Sequence, residues 1–326
     1  MWKYIAGSVV AGSVAYGLVK YFAGGVCRCT ARLDGQVVVI TGANSGIGKA
    51  LGLELAQRGA TLVLACRSIN KGLEAKKYIL KYSKSKNIKI FVKELDLCKI
   101  SSIVKFAETL KTEFTEIYAL VNNAGVFYHP QDLTEDGFEI TLQTNYLGPF
   151  ILTHHLLDLL KRSVHARIVN ISSEAHRLVN VYDLNAVTKC QTEFRDNFIA
   201  YGVSKLALNL FTKELSQKLL STNVIINAAN PGNVETSIFR NFPPLSNPWL
   251  YALQWPIRIL VIKNPKQGAQ TPLHLLLTSN RTTGQYFSDC KLALPSPIAG
   301  NDKTAHEYYA LTLEILADKF NTESEC

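Results

Sequence analysis

The sequence predicts an α/β protein with a doubly wound parallel sheet of about seven strands and helices on both faces. Short apolar runs rich in β-branched residues alternate with longer amphipathic segments, and no linker interrupts them. The first such run, residues 37–40, leads straight into a glycine-rich turn and a helical segment. A length of 326 residues suits one sheet of this kind. We therefore expect a single folded domain over residues 31–326, preceded by an apolar segment.

Each element follows from its local pattern. Strands are predicted where short apolar runs lie between turn residues, near 36–41, 60–66, 88–94, 117–122, 166–172, 223–229 and 284–288. Helices are predicted where apolar residues recur at helical spacing, near 46–58, 70–83, 100–113, 134–162, 197–220, 264–279 and 302–320. The regular alternation indicates crossover connections between parallel strands.

The first strand–helix turn has the composition of a phosphate-binding loop. It reads Thr-Gly-Ala-Asn-Ser-Gly-Ile-Gly over residues 41–48. A side chain at Gly42 or Gly46 would keep a pyrophosphate away from the backbone, and Gly48 lets the helix pack on the strand. Free N–H groups and the dipole at a helix start favour an anion. The turn thus indicates a dinucleotide site, and a tight turn without a ligand is the alternative.

A tyrosine and a lysine lie one helical turn apart at positions 201 and 205. Apolar residues recur at helical spacing over 197–220, so Tyr201 and Lys205 share a face of that helix. A neighbouring ammonium favours the phenolate, so we expect Lys205 to lower the pKa of Tyr201 from about 10. Together with the glycine turn upstream, the pair indicates proton transfer beside a nicotinamide. For an isolated pair, a core tyrosine beside a surface lysine is the alternative.

These motifs, in this order, resemble the short-chain dehydrogenase/reductase family over nearly all of residues 35–320. Further matching stretches are Leu-Asp-Leu at 95–97, Asn-Asn-Ala-Gly at 122–125, Thr-Asn-Tyr at 144–146, Ser-Ser-Glu-Ala-His at 172–176 and Asn-Pro-Gly at 230–232. The resemblance implies a Rossmann-like fold and hydride transfer to or from a nicotinamide. The stretch at 64–68, the one at 172–176 and the apolar N-terminus look most like the membrane-associated retinol dehydrogenases.

The resemblance also implies roles for single residues. Tyr201 exchanges the hydroxyl proton, and Ser173 binds the substrate oxygen. Lys205 tunes Tyr201 and holds a ribose, and Asn145 positions a water that relays protons. The implied cofactor-binding residues are Gly42, Asn44, Ser45, Gly46, Ile47, Gly48, Arg67, Asp96, Leu97, Asn122, Ala124, Gly125, Tyr201, Lys205, Pro231, Gly232 and Thr236.

The residues that follow the second strand predict which nicotinamide cofactor, NAD or NADP, the protein binds. NAD enzymes of this fold usually carry an acid there, which binds the ribose 2′-hydroxyl. Here Cys66 is followed by Arg67, whose guanidinium can pair with a 2′-phosphate. We therefore expect NADP (NADPH), and a surface arginine at a helix start is the alternative.

Residues 1–30 are predicted to form a hydrophobic anchor outside the catalytic domain, 31–326. Residues 4–19 are uncharged, and Lys20 can snorkel, which extends the apolar stretch. A cleavable signal peptide fits poorly, because the only early charge is Lys3. Arg28 and Arg32 favour a cytosolic catalytic domain. We expect a membrane-associated protein, in the endoplasmic reticulum rather than the mitochondrial membrane.

Cysteine content and charge narrow the function classes. The seven cysteines are scattered apart from Cys27 and Cys29, which fits a reducing compartment. The Cys27–Cys29 pair is a weak indication of a metal site, because no further ligand lies nearby in the sequence, and palmitoylation of these cysteines is an alternative. The histidines are not spaced as metal ligands, so we expect no metal. The net charge of +9 suits a solvated face or anionic lipid, and we expect no nucleic acid.

Two segments are predicted to adjoin the substrate. Residues 239–262 are rich in aromatic and aliphatic side chains, which could wall an apolar pocket, touch a bilayer or serve core or dimer packing. Residues 174–200 are expected to hold an extra loop. The sequence therefore predicts an NADP-dependent oxidoreductase that interconverts an apolar alcohol and its aldehyde or ketone, by resemblance a retinoid. A sterol or other lipid carbonyl reductase and a non-catalytic binding protein are the alternatives, and homodimerisation stays open.

Overall fold

The structure is a computed structural model that describes residues 23–85, 87–130, 132–188, 196–236, 238 and 262–324. An eight-stranded sheet has the order β3-β2-β1-β4-β5-β6-β7-β8. Strands β1 to β7 are parallel, and β8 pairs antiparallel with β7. The strands are β1 Val37–Thr41, β2 Thr61–Cys66, β3 Ile90–Glu94, β4 Ala119–Asn122, β5 Arg167–Ile171, β6 Ile225–Asn230, β7 Tyr286–Ser288 and β8 Lys291–Ala293.

Helices connect the parallel strands. They are α1 Gly46–Ala56, α2 Ile69–Tyr82, α3 Ile100–Glu113, α4 Ile140–Leu142, α5 Gly148–Arg162, α6 Val181–Thr188, α7 Asn197–Lys218, α8 Pro265–Gly268, α9 Gln270–Leu277 and α10 Asp302–Ser324. A π-helical stretch, Gln143–Leu147, joins α4 to α5, and a 3₁₀ turn, Glu174–Arg177, follows β5.

Two apolar layers cover the two faces of the sheet. Helices α1, α2 and α9 pack on one face, and α3, α5, α7 and α10 pack on the other. Along β1 the side chains alternate between the layers, because Val38 and Ile40 join the first and Val39 joins the second. Burial from both sides explains why the strands read as continuous apolar runs. The predicted doubly wound α/β architecture is confirmed.

The sheet has one strand more than the seven predicted. β8 follows a two-residue turn in which Asp289 and Cys290 have φ values of 51° and 60°. Tight hairpin turns of this kind usually contain glycine or asparagine, which tolerate such φ values. The Ser-Asp-Cys-Lys stretch at 288–291 carries neither, so the sequence did not reveal the hairpin.

Two predicted segments have different boundaries. The helix expected from residue 134 begins at Ile140, because the Glu139 carboxylate caps it and accepts from the N–H groups of Thr141 (3.0 Å) and Leu142 (2.7 Å). The extra loop expected over 174–200 contains the 3₁₀ turn and helix α6.

The chain just before β1 lies against the catalytic domain. The Gly25 N–H donates to Asp289 Oδ1 (3.1 Å), and the Cys27 N–H donates to Gln270 Oε1 (3.0 Å). In the part of the chain that the structure describes, every helix is too short or too polar to cross a bilayer. Residues 1–22 of the predicted anchor and most of the predicted substrate segment lie outside the described residues.

Candidate active site

The candidate site lies where the strand order reverses between β1 and β4. In a doubly wound sheet the loops after the two neighbouring strands diverge at this point and leave a crevice at the carboxyl ends. The residues after β1, β4, β5 and β6 include most of those predicted for the site. The topology therefore gathers motifs that are far apart in sequence.

The glycine turn is shaped by its protein neighbours as well as by any ligand. Gly42 and Gly46 have φ values of +64° and +51°. A Cβ on Gly42 would lie 2.8 Å from Ala124 Cα, and one on Gly46 would lie 2.9 Å from Thr236 Cγ2. Both glycines are thus needed for contact with the loops after β4 and β6. Asn44, Ser45 and Ile47 occupy the half-buried start of α1.

Thr41 and Asn123 hold the loop after β4 on the glycine turn. Thr41 Oγ1 accepts from the N–H groups of Asn123 (3.0 Å) and Ala124 (2.9 Å). The Asn123 amide donates to the Thr41 carbonyl (2.7 Å), and its nitrogen lies 2.6 Å from where a Cβ on Gly48 would be. The sequence analysis gave neither residue a role, although both lie inside the motifs it used.

The Asn122 side chain belongs to the core. It is 2% exposed, and its Nδ2 donates to Asn170 Oδ1 (2.8 Å) and Thr153 Oγ1 (3.1 Å). Asn170 in turn donates to Thr212 Oγ1 (2.8 Å). A cofactor contact of Asn122 is therefore expected from its backbone, while its side chain ties β4 to β5 and α5.

Ser173, Tyr201 and Lys205 come together beyond the end of β5. The Tyr201 side chain is hydrogen-bonded to Ser173. Lys205 Nζ lies 5.6 Å from the centroid of the Tyr201 ring and donates to the Ile171 carbonyl (2.7 Å). The neighbouring Ser172 hydroxyl is buried in the core. Of the two adjacent serines, Ser173 is thus the one beside the tyrosine.

Asn145 lies in the π-helical stretch and contacts the loop after β4 and helix α7, which carries Tyr201 and Lys205. Its Oδ1 accepts from the Val126 N–H (2.8 Å), and its Nδ2 donates to the Val126 carbonyl (2.9 Å) and to Ser204 Oγ (3.0 Å). A Cβ on Gly125 would lie 3.1 Å from Asn145 Oδ1 and 3.7 Å from Lys205 Nζ. Both amide hydrogens are used, so the side chain fixes the loop after β4 against α7.

Burial controls the titration of the site. It raises the pKa of Tyr201 to about 12, although the hydrogen bond with Ser173 opposes this rise. It also lowers the pKa of Lys205 to about 8. The direction for Tyr201 is opposite to the expected one, because removal from water disfavours the phenolate more than its surroundings favour it. The expectation that Lys205 lowers the pKa of Tyr201 below its ordinary value is therefore wrong.

A second group of polar residues surrounds Ser173, and no role was predicted for these side chains from the sequence. The Glu174 carboxylate accepts from the Tyr286 hydroxyl (2.7 Å) and from Asn230 Nδ2 (2.9 Å). His176 Nδ1 lies 2.6 Å from the Ser173 carbonyl, and its Nε2 accepts from the Ser296 N–H (2.9 Å). Burial lowers the pKa of His176, so the ring is neutral and its Nδ1 is the donor. Glu174, His176 and Asn230 lie inside the stretches at 172–176 and 230–232 that match the family, whereas Tyr286 and Ser296 carry no local sequence signal.

Arg67 and Asp96 lie at the far edge of the crevice. Arg67 is exposed directly after β2, whose last residue, Cys66, pairs with the last residue of β3. Asp96 Oδ1 accepts from the Cys98 N–H (3.0 Å), and both Arg67 and Asp96 act electrostatically on Cys98. Leu97 is buried, so its side chain belongs to the core.

The loop after β6 completes the candidate site. Gly232, in the turn with Pro231, has a φ of +78°, and a Cβ there would lie 2.9 Å from Lys263 Nζ. Thr236 packs on Gly46, as described above. The structure thus brings every loop with a predicted cofactor-binding residue to one edge of the sheet.

The family model described as short chain dehydrogenase matches residues 36–245. The chain belongs to the short-chain dehydrogenase family, and it is an oxidoreductase of that family, which uses nicotinamide cofactors.

Its similar relatives include retinol dehydrogenases. The chain is 42% identical over 307 residues to "Retinol dehydrogenase 12" of Bos taurus, covering 93% of each chain. It is 40% identical over 299 residues to "Retinol dehydrogenase 11" of Homo sapiens, covering 91% of each. "Retinol dehydrogenase 13" of Mus musculus is 38% identical over 316 residues, or 96% of this chain and 92% of the relative.

Solved structures support the same fold. A crystal structure of an uncharacterized protein from Mycobacterium Paratuberculosis matches with a TM-score of 0.68 and 29% identity, covering 89% of this chain and 97% of that one. The Pseudomonas aeruginosa RhlG/NADP active-site complex matches with a TM-score of 0.62 and 23% identity, covering 78% and 95%. The second likeness shows the fold alone.

Proposed function

We propose that the protein is an NADP-dependent oxidoreductase that interconverts an apolar alcohol, most favourably a retinoid, and its aldehyde or ketone. The carrying observation is the group in which Tyr201 is hydrogen-bonded to Ser173, with the Lys205 amine 5.6 Å from the ring centroid. This group combines a proton donor, a second hydroxyl for the substrate oxygen and a buried cation. The names of the relatives support the substrate class.

The chain's own residues would manage the oxygen of the substrate. When bound, the nicotinamide supplies or accepts the hydride. Ser173 and Tyr201 would both hydrogen-bond the carbonyl oxygen, and Tyr201 would give it a proton as it becomes an alkoxide. With a pKa of about 12, Tyr201 stays protonated at neutral pH, which suits reduction. Lys205 is fixed by the Ile171 carbonyl and would hold a ribose hydroxyl nearby.

The loops fit a dinucleotide. The glycine turn leads into an eleven-residue helix, α1, whose first N–H groups are available to a phosphate. Arg67 is exposed at the end of β2, where Cys66 supplies no carboxylate to repel a 2′-phosphate. Asp96 stands at the same edge and would serve the adenine side. These features support NADP over NAD.

Aromatic side chains beside Tyr201 support an apolar substrate. The Phe127 ring lies 4.8 Å from the Tyr201 ring and 5.8 Å from the Phe198 ring, both edge-on. Phe127 is buried and Phe198 is half-buried. The apolar rings of Phe127 and Phe198 would favour a polyene or other hydrocarbon chain over a sugar-like substrate.

Attachment to a membrane is part of the proposal. The apolar composition of residues 4–19 supports an anchor, and the endoplasmic reticulum is favoured over the mitochondrial membrane. The anchored domain would then meet its apolar substrate at the lipid surface.

Tyr201→Phe tests the chemistry directly. Loss of a positioned acid should lower kcat by about 10²–10⁴-fold with all-trans-retinal and NADPH, while cofactor affinity stays nearly unchanged. Tyr78→Phe is the matched control, because Tyr78 is 40% exposed on α2. Thermal melting of both variants separates a chemical effect from misfolding. If Tyr201→Phe melts like wild type and keeps more than about a tenth of its rate, the proposed role is wrong.

A further inference from the structure

Three distant parts of the chain meet on the face of the sheet covered by α1 and α9. They are the arm, defined as residues 24–30, helix α9 and the β7–β8 turn. Along the arm, Val26, Arg28 and Thr30 are exposed, whereas Cys27 and Cys29 are half-buried and pack against the apolar layer. The alternation turns both thiols toward the domain and away from solvent, which is unfavourable for acylation.

The two thiols face a histidine. The sulfurs of Cys27 and Cys29 and a ring nitrogen of His274 all lie within 4.8 Å of one another. Cys29 Sγ is 3.6 Å from His274 Nδ1. In a tetrahedral zinc site with Zn–S of about 2.3 Å and Zn–N of about 2.0 Å, a sulfur and a nitrogen ligand are about 3.6 Å apart. Within the described ranges, this is the one such group of three candidate ligands.

The backbone around the thiols is held in place by the domain. Gly24 has a φ of +76°, and a Cβ on Gly25 would collide with the Asp289 carbonyl, so only glycines allow the arm this close to the turn. The Gly25 N–H donates to Asp289 Oδ1 (3.1 Å), which also pairs with Lys263 (2.6 Å). The Cys27 N–H donates to Gln270 Oε1 (3.0 Å), one turn before His274. The thiols and the imidazole are therefore positioned before any ion arrives.

A third thiol adds to the soft-ligand character of the place. Cys290 lies in the β7–β8 turn beside Asp289, which holds the arm at Gly25, and its N–H donates to Thr271 Oγ1 (3.2 Å), three residues before His274. Thiolates and imidazole together select zinc over magnesium or calcium, which prefer oxygen ligands.

We propose that Cys27, Cys29 and His274 bind a Zn²⁺ ion that fastens the arm to the catalytic domain. No metal was expected from the sequence because Cys27 and Cys29 have no nearby partner along the chain, and His274 follows Cys29 by 245 residues. The ion would be structural, since its ligands come from the arm and α9 and none belongs to the Tyr201 group. The inference does not depend on the proposed substrate or cofactor.

Metal content of the full-length protein tests the proposal. The protein is purified in detergent under reducing conditions, stripped with a chelator, reloaded with Zn²⁺ and dialysed. We expect about one zinc per chain, and at least a tenfold loss of affinity in Cys27→Ser, Cys29→Ser and His274→Ala. Cys98→Ser is the matched control, because this half-buried thiol lies on the Thr144 hydroxyl (3.0 Å) instead. It should keep the zinc.

Cobalt loading of the wild type gives a second readout that does not depend on any variant folding. Co²⁺ should show thiolate-to-metal charge transfer and the intense visible absorption of tetrahedral coordination. The proposal is overturned by substoichiometric zinc in the reloaded wild type, by zinc that persists in Cys29→Ser, or by cobalt spectra without thiolate bands. A disulfide or an acyl group on Cys27 or Cys29 in the purified protein would also overturn it.

Discussion

Tyr201 and Lys205 illustrate how burial, more than pairwise charge, sets the behaviour of a site residue. Sequence spacing correctly placed both on one helix, and the structure adds Ser173 to them. The desolvation of each group could not be predicted, because it depends on α7 being buried on nearly all sides. The same limit applies to Asn122, whose motif is visible in sequence while the direction of its side chain is not.

The pH dependence of turnover follows from the Tyr201 phenol. With its pKa raised to about 12, the acid form of Tyr201 persists well above neutral pH, so kcat/KM for reduction should be flat from about pH 6 to about pH 8, where Lys205 begins to lose its charge. Oxidation, which needs the phenolate, should rise over that range. Ser173→Ala removes the hydrogen bond that lowers this pKa, so its alkaline limb should move to higher pH. A wild-type limb below about pH 10 that shifts in Ser173→Ala would belong to the phenol, contradict this and restore the sequence-based expectation.

Lys205 should contribute to turnover and oppose stability. Its pKa falls from 10.5 to about 8 on burial, which corresponds to about 3 kcal/mol. Between these values the unfolded state binds more protons, so wild-type stability should rise with pH across this window. Lys205→Met removes the penalty, although it leaves the Ile171 carbonyl without its donor, at a cost of about 1–3 kcal/mol.

We therefore expect Lys205→Met to be inactive yet to unfold at or above the wild-type denaturant concentration at pH 7, with less advantage at pH 10. Lys77→Met, on the exposed face of α2, is the control and should show no such pH dependence. A Lys205→Met protein destabilised by more than about 2 kcal/mol at both pH values would show that the buried ammonium is net stabilising.

Secondary-structure elements were predicted well where periodicity alone decides, and less well where single side chains decide. Helix α3 has the predicted bounds, and β1 to β6 each lie within about two residues of theirs. By contrast, the start of α4 depends on the Glu139 cap, and β8 depends on two non-glycine residues at positive φ. The cap is a local contact made by glutamate, which is not among the usual N-cap residues, whereas the turn at positive φ costs free energy locally that contacts with distant residues must offset.

Truncation before or after the arm should separate membrane attachment from the folding stability of the catalytic domain. Deletion of residues 1–22 should release the protein from membranes and leave the melting temperature unchanged, because the contacts of Gly25 and Cys27 are kept. Deletion of residues 1–30 should also remove those hydrogen bonds, costing about 1–3 kcal/mol and lowering Tm by several degrees.

Membrane fractionation and thermal melting of the two truncated proteins measure these effects. Equal melting temperatures would mean that the arm adds nothing to stability. Full-length protein in the soluble fraction after gentle lysis would refute the anchor.

At the scale of the whole molecule, the strand order determines which motifs become neighbours. The reversal between β1 and β4 brings together turns after residues 41, 122, 171 and 230. The family resemblance anticipated this assembly. The pairing of Cys29 with His274 has no such precedent in the motifs, so only the folded chain reveals it.

Cofactor preference should be visible in the stability of the whole domain. A ligand at about a hundred times its Kd stabilises the folded state by about 2.7 kcal/mol, or roughly 4 °C in Tm for a chain of this size. We expect NADPH to give such a shift at a concentration where NADH gives little. Arg67→Ala should abolish this difference between NADPH and NADH. Arg162→Ala should keep it, because Arg162 donates to the Thr115 carbonyl at the amino ends of the strands, away from the cofactor-binding loops. Equal shifts with both cofactors in the wild type would contradict the assignment to NADP.

The contact between Gly46 and Thr236 also constrains how this chain can evolve. A methyl group on residue 46 would fall 2.9 Å from the Thr236 methyl, so the two positions share one small volume. A side chain at residue 46 is tolerated only after Thr236 becomes smaller, which makes the order of substitution matter, and Gly46 itself cannot shrink to make room for a larger residue at 236. Drift in the loop after β6 is therefore restrained by the glycine turn 190 positions earlier, and lineages that change substrate through that loop inherit this restriction.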